Sequence, residues 1–152
     1  MAASDAVLYE KFIIESTDGK RTADIKEGVV FFSYFENVFS PHLTAKVQVS
    51  NTGSTIEGED GVMTSLYNGL PLVGGERVII KVSGNSATNK GLKFDTPEKY
   101  FYVSSITNIL IDGEREAFTL NLVSREAITN ETVRVGRKFP SSQKISDSVE
   151  DI

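Results

Sequence analysis

The chain has 152 residues, of which 39% are hydrophobic and 24% are charged, a balance typical of one soluble globular domain. It contains no cysteine and one histidine, which excludes a disulfide framework, thiolate chemistry and a multi-histidine metal cluster. The formal net charge of −5 disfavours a dedicated DNA- or RNA-binding protein, because such proteins normally carry a basic surface.

The first predicted element is a β-hairpin. Residues 12–17 and 20–25 are rich in β-prone side chains. Asp18-Gly19 between them is a strong turn signal, because glycine accepts a positive φ. Residues 29–40 follow and carry apolar side chains at both odd and even positions. They therefore do not predict a strand with one solvated face.

The middle of the chain alternates between regular elements and polar loops. Residues 43–50 place apolar and polar side chains at alternate positions, which predicts a half-buried strand. Residues 51–61 are polar and contain glycine, so they predict a loop. Residues 62–68 predict a short helix, which Gly69 and Pro71 end.

A strand, a surface loop and a long hairpin are predicted next. Residues 76–82 alternate as a strand, and residues 83–96 contain the glycines and asparagines typical of a mobile surface loop. Residues 100–111 then form a strand that Asp112-Gly113 turns back into a second strand.

The first strand of this hairpin contains a predicted β-bulge. The paired Ser104 and Ser105 shift the apolar parity from Phe101 and Val103 to Ile106. One extra residue in the strand explains that shift, and bulges are common at barrel corners.

These elements predict a mainly β fold. Six to seven short strands with one short helix indicate an antiparallel β-barrel over residues 1–140. Residues 141–152 predict the start of a C-terminal amphipathic helix, because Ile145, Val149 and Ile152 recur at helical spacing. Three residues are candidate N-caps of this helix: Ser142, Ser146 and Asp147. We expect the helix to lead into a domain that is absent from this chain.

No pattern in the sequence predicts catalysis or cofactor binding. The acidic residues 57–60 lack the ligand spacing of an EF-hand loop, and Gly74-Gly75 lacks the ending of a phosphate-binding loop. His42 has no serine or aspartate partner fixed by spacing. The aromatic residues 100–102 are able to stack nucleic-acid bases, but adjacent strand residues face opposite sides, which favours core packing. We therefore expect no catalytic, cofactor-binding or metal-binding residue, and no enzyme activity.

One segment carries more aromatic surface than a single strand face is able to bury. Either both of its sides are covered within the monomer, or one side is covered by a neighbouring subunit, since interfaces favour Phe and Tyr. An open barrel strand also joins a neighbour by edge pairing. The candidate subunit interface consists of Phe31, Phe32, Tyr34, Phe35, Val38 and Phe39.

The order of elements resembles a known family. Four strings carry the resemblance: Gly75–Ser83, Lys99–Val103, Phe118–Ala127 and Asn130–Phe139. The order of these four strings, with an amphipathic helix after the last one, resembles the N-terminal tail-tube-like domain of baseplate hub proteins of contractile-tailed bacteriophages.

The resemblance implies a structural role in the virion. In that family, hub subunits form a trimeric ring with two tail-tube-like β-barrels per chain, and the ring joins the tail tube to the central spike. The implied partners are other hub subunits and the tube and spike proteins, without a membrane or specific nucleic acid. Assembly in the host cytoplasm is expected, and a second barrel is expected beyond residue 152.

Two other function classes stay open. A small β-barrel of this kind also serves as a binding module for single-stranded nucleic acid or carbohydrate. The chain is also compatible with an enzyme fragment whose catalytic groups lie downstream.

Overall fold

The computed structural model describes the chain in six stretches. These are residues 7–53, 56–57, 61–70, 72–86, 88–113 and 115–152. They contain ten strands: β1 Leu8–Glu15, β2 Thr22–Asp24, β3 Val29–Phe35, β4 Thr44–Thr52, β5 Ile56–Glu57, β6 Met63–Thr64, β7 Arg77–Ser83, β8 Leu92–Phe94, β9 Phe101–Asp112 and β10 Arg115–Ser124. The helices are a 3₁₀ turn, Lys26–Gly28, and three short α-helices: α1 Leu66–Gly69, α2 Arg125–Thr132 and α3 Ile145–Glu150.

Eight of these strands form one antiparallel sheet. The path through it is β2-β1-β7-β9-β10-β4-β3, and β8 pairs with the part of β7 that β9 leaves free. β5 and β6 pair with each other in a separate ribbon. The mainly β, antiparallel class predicted from the sequence is therefore confirmed.

The sheet is open among the described residues. β2 and β3 are its two ends, and no strand pairing within those stretches joins them. Closure into a barrel therefore stays a prediction. The predicted count of six to seven strands is too low, because β5, β6 and β8 lie in segments predicted as loop or helix. Strands of two or three residues are too short for their alternation to be visible in a sequence.

The core lies on one face of the sheet. β1, β7, β9, β10 and β4 each bury alternate residues, and α1 adds Leu66. The largest fully buried apolar side chains are Phe12, Phe101 and Phe118. Burying a side chain of this size stabilises the fold by about 1.5–3 kcal/mol relative to leaving it exposed.

The long hairpin of β9 and β10 contains the predicted bulge and a second one. Ser105 pairs with Asn121 and Val103 with Leu122, so Ser104 is the extra residue, and the predicted bulge is confirmed. The second bulge lies between Thr107 and Leu110, where Asn108 adopts a φ of 54°. Asparagine tolerates this left-handed conformation better than most residues.

The helices differ from the prediction in position and number. α1 begins four residues later than the predicted residues 62–68, with the Ser65 hydroxyl accepting from the Asn68 N–H as N-cap. α2 was not predicted. α3 confirms a helix near the end of the chain, but its N-cap position is Lys144, without a side-chain cap. The candidate caps Ser146 and Asp147 lie inside the helix, and Ser142 precedes it, so that part of the prediction is wrong.

Candidate subunit interface at the edge strand β3

β3 is an edge strand that pairs with β4 alone among the described strands. Its register shifts between Val29 and Phe31, so Val30 is an extra residue in the ladder. After this bulge, Phe32 lies opposite the buried Val47. The bulge thus fixes which aromatic side chains of β3 face the core.

Two of the six candidate interface residues pack against the core. The Phe32 ring meets that of Phe12 edge-on, with centroids 5.4 Å apart and planes at 78°. The Tyr34 ring lies 5.4 Å from that of Phe94 on β8. Both residues are half-buried. They stabilise the curled sheet within one chain.

The other four candidate residues lie on the surface. Phe31 is 53% exposed and Phe35 is 52% exposed, on the outward side of β3. Val38 and Phe39, in the loop that follows, are 89% and 93% exposed. About half of the surface of the Phe31 and Phe35 side chains is therefore in solvent. With the exposed Val30, these four residues form the aromatic edge surface: Val30, Phe31, Phe35, Val38 and Phe39.

Local hydrogen bonds hold the loop of the aromatic edge surface in place. The Asn37 side chain accepts from the Phe39 N–H at 2.9 Å, and the Asn37 carbonyl accepts from the Ser40 N–H at 2.9 Å. The Tyr34 hydroxyl donates to Glu36 at 2.7 Å. Burial, together with this carboxylate, raises the pKa of Tyr34 to about 12. Phe39 is therefore presented by a turn, without being packed against the body.

Two buried carboxylates escaped the sequence analysis. Glu116 accepts from the Leu66 N–H at 2.7 Å, the Tyr67 N–H at 3.1 Å and the Asn51 amide at 2.8 Å. Glu76 accepts from the backbone N–H groups of residues 73 and 74. Buried N–H groups need such partners, so both carboxylates have structural roles. Glu116 shares the parity of the buried residues of β10, and that parity was the available signal.

His42 lies beside an apolar cavity of about 510 Å³ between the sheet and α2. Its apolar lining includes Val103, Ala127 and Ile128. The His42 Nδ1 atom is buried and has no hydrogen-bond partner among the described residues. The Ser40 hydroxyl donates to the His42 carbonyl, so it is directed away from the imidazole. This arrangement brings no nucleophile into hydrogen-bond contact with the imidazole in the described part of the chain.

Comparisons of the chain with protein-family models, with curated proteins and with solved structures find no match. Within the stretches that the structure describes, no helix is long and apolar enough to cross a membrane. Those stretches also contain no group of three or more histidine, aspartate or glutamate side chains arranged to hold a metal ion.

Proposed function

We propose that the chain is a structural assembly protein, a tail-tube-like domain of the baseplate hub of a contractile-tailed phage. Its task is to occupy one position in a ring that joins the tail tube to the central spike. The observation that carries the proposal is the aromatic edge surface, which places exposed apolar side chains beside an unpaired strand edge. Its chemistry is that of a subunit interface.

The free energy of association comes from burying this surface. A large apolar side chain moved completely from water into a packed interface contributes about 1.5–3 kcal/mol, and the half-exposed Phe31 and Phe35 contribute about half of that. Association loses part of that gain, because translational, rotational and side-chain freedom are restricted. Several neighbouring side chains are therefore needed, and the five residues of the aromatic edge surface supply them.

The curvature of the sheet supports a barrel-like shape in the assembled state. Phe32 at one end of the sheet contacts Phe12 near the other end, so the two ends approach each other through side chains. We propose that the free edge of β3 is covered by a neighbouring subunit. Edge pairing of this kind also removes the aggregation hazard of an exposed strand.

The acidic composition suits a tube through which DNA travels. A net charge of −5 disfavours adhesion of the DNA backbone. We propose that the lumen of the ring carries part of this negative charge. A basic inner wall in an assembled ring would contradict this part of the proposal.

Two substitutions on β3 test the interface. Phe35→Asp changes an outward, exposed ring, and Phe32→Asp changes a ring packed against Phe12. We expect Phe35→Asp to melt cooperatively like the wild type and to lose concentration-dependent association in sedimentation velocity. Phe32→Asp should instead lower the free energy of unfolding, because it places a carboxylate against the core.

Three outcomes would contradict the proposal. The first is wild-type association by Phe35→Asp, and the second is loss of the fold in that variant, which would make Phe35 a core residue. The third is a wild-type chain that stays monomeric at every concentration, with no rings in negative-stain electron microscopy. Salt-dependent binding of a labelled single-stranded oligonucleotide, abolished by Phe39→Ser, would favour a nucleic-acid-binding module instead.

A further inference from the structure

The cavity between the sheet and α2 takes no part in the proposed function. Its volume of about 510 Å³ lies within the range of about 300–1,000 Å³ that small-molecule sites occupy. Val103 and Val123 line it from the sheet. None of the residues of α2 is fully buried, and the helix presents Ala127, Ile128 and Glu131 to this space, here called the α2 cavity.

Backbone hydrogen bonds hold the lining residues of the α2 cavity in place. The Ser124 N–H donates to the Leu43 carbonyl at 3.0 Å, and the Ser124 hydroxyl accepts from the Leu43 N–H at 3.1 Å. These bonds join the start of α2 to the neighbour of His42, which lines the cavity. Gly75, another lining residue, is held to β9, because its N–H donates to the Val103 carbonyl at 2.7 Å. The α2 cavity is therefore formed by connected parts of the fold.

The hydroxyl groups that line the α2 cavity are already engaged within the chain. The Ser104 hydroxyl donates to the Asn121 carbonyl at 3.0 Å, and the Thr132 hydroxyl donates to the Ile128 carbonyl at 2.9 Å. A hydroxyl group has one proton to donate. Neither side chain therefore has a proton left for an anionic or carbonyl group in the cavity.

The α2 cavity carries one formal charge. Among its described lining residues, Glu131 is the only one charged at neutral pH, with the histidine counted as neutral. Its carboxylate forms no ion pair within the described part of the chain. The buried Nδ1 atom of His42 also has no partner there, and it accepts a hydrogen bond when the imidazole proton is on Nε2. The cavity thus combines apolar walls with a negative charge.

An organic amine complements this combination. A primary ammonium group has one positive charge and three hydrogen-bond donors, and its hydrocarbon part gains free energy from burial against the apolar walls. An organic anion would be repelled by Glu131, and no lysine or arginine is among the described lining residues to offset that repulsion. A neutral alcohol would gain the burial but no charge interaction.

We propose that the α2 cavity binds a small alkyl or aryl amine, with the hydrocarbon part against Val103 and Ile128 and the ammonium group at Glu131. The cavity has the size of a small-molecule site, whereas a stable protein contact buries about 800 Å² on each partner, which favours a free amine over a lysine of another protein. The inference does not depend on the proposed role of β3, because the described lining residues include none of that strand.

Titration of three six-carbon compounds into the nitrogen-15-labelled chain tests the ligand class. Hexylamine, hexanol and hexanoate have the same hydrocarbon chain and differ in charge at neutral pH. We expect hexylamine to shift the amide resonances of α2 and of Val103, and to bind about threefold more tightly than hexanol. Hexanoate should bind more weakly than hexanol. Equal or tighter binding of hexanoate, or no shift at these residues with any of the three compounds, would overturn the proposal.

A charge-removing substitution tests the position of the ammonium group. Glu131→Gln keeps the shape of the side chain and should abolish the preference for hexylamine over hexanol. The affinity for hexanol should stay within about twofold of the wild type, because only the charge interaction is lost. Glu150→Gln on α3 removes an exposed carboxylate that does not line the cavity, and it should keep the preference. A preference that survives Glu131→Gln would overturn Glu131 as the ammonium partner.

A substitution in the apolar wall separates this proposal from the proposed function. Ile128→Ala should weaken hexylamine and hexanol alike by about fivefold, because both lose apolar contact. Ile128 is 37% exposed, so the variant should keep the wild-type fold and the wild-type association in sedimentation velocity. Unchanged affinities would overturn the cavity as the binding site. Weakened association with unchanged affinities would show that the cavity is a contact between copies, which overturns the amine site and leaves the assembly role intact.

Discussion

The rings of Phe12 and Phe32 meet edge-on at 5.4 Å, although β1 and β3 are separated by four strands in the order of the sheet. This contact shows how strongly the sheet curls. It also explains why β3 has one side in the core and one side in solvent. The same strand therefore stabilises the fold and presents the candidate interface.

The Phe12–Phe32 contact is expected to couple the two ends of the sheet energetically. Phe12→Leu and Phe32→Leu should each destabilise the fold, and the double variant should be less destabilised than their sum. We expect a coupling energy of about 0.5–1.5 kcal/mol, the range for an edge-to-face aromatic pair. Urea unfolding of the four proteins measures it. Strictly additive effects would mean that the ring contact contributes nothing beyond burial.

The buried Glu116 is expected to be essential for the region around α1. Glu116→Ala should destabilise the fold by about 2–4 kcal/mol, because two backbone N–H groups and the Asn51 amide lose their acceptor. The exposed Glu27→Ala is the control and should change stability by less than about 0.5 kcal/mol. Chemical denaturation measures both, and equal effects would contradict the structural role of Glu116.

The turn between β7 and β8 is expected to require glycine at position 91. Gly91 has a φ of +70°, and a Cβ there would lie 2.0 Å from the Val82 carbonyl oxygen. Gly113 has a similar φ of +59° with open space around it. Both Gly→Ala variants add backbone strain of about 1 kcal/mol, but only Gly91→Ala also adds a clash with the backbone. Its melting temperature should therefore fall further than that of Gly113→Ala, and the reverse order would refute this account of the turn.

The ion pair between β1 and β7 is expected to give an acid-dependent contribution to stability. Hydrogen bonds from Lys81 and Ser83 lower the pKa of Glu10 in the folded chain. The contribution is therefore present above the ordinary glutamate pKa and is lost as the pH falls through the lowered value. The melting temperature of the wild type should exceed that of Glu10→Gln at neutral pH, and the difference should vanish in strong acid. If the difference in melting temperature between the two proteins grew as the pH fell, it would contradict this account of Glu10.

The sequence predicted features that depend on local signals. The β9–β10 hairpin follows from Asp112-Gly113, and the bulge at Ser104 follows from the parity shift. α2 was missed for two reasons. It follows directly on β10, which ends at Ser124, so no loop signal separates the two elements, and none of the residues of α2 is buried. Burial is what normally imposes a helical pattern on a sequence.

The sequence predicted which segment forms the candidate interface, but not which side chains of that segment are exposed. Residues 29–40 carry apolar side chains on both parities, so alternation alone does not tell which of them face the core. The bulge at Val30 decides which side chains face the core, because it shifts Phe32 to the position opposite Val47. That shift depends on pairing with β4, a tertiary contact that the local sequence does not encode.

Hydrogen–deuterium exchange across the association equilibrium tests the central claim most directly. The account predicts that amides of β3 that point away from β4 become protected when copies associate. Protection confined to another exposed apolar patch, such as Ile109–Ile111 near the tip of the β9–β10 hairpin, with unchanged exchange along β3, would contradict it.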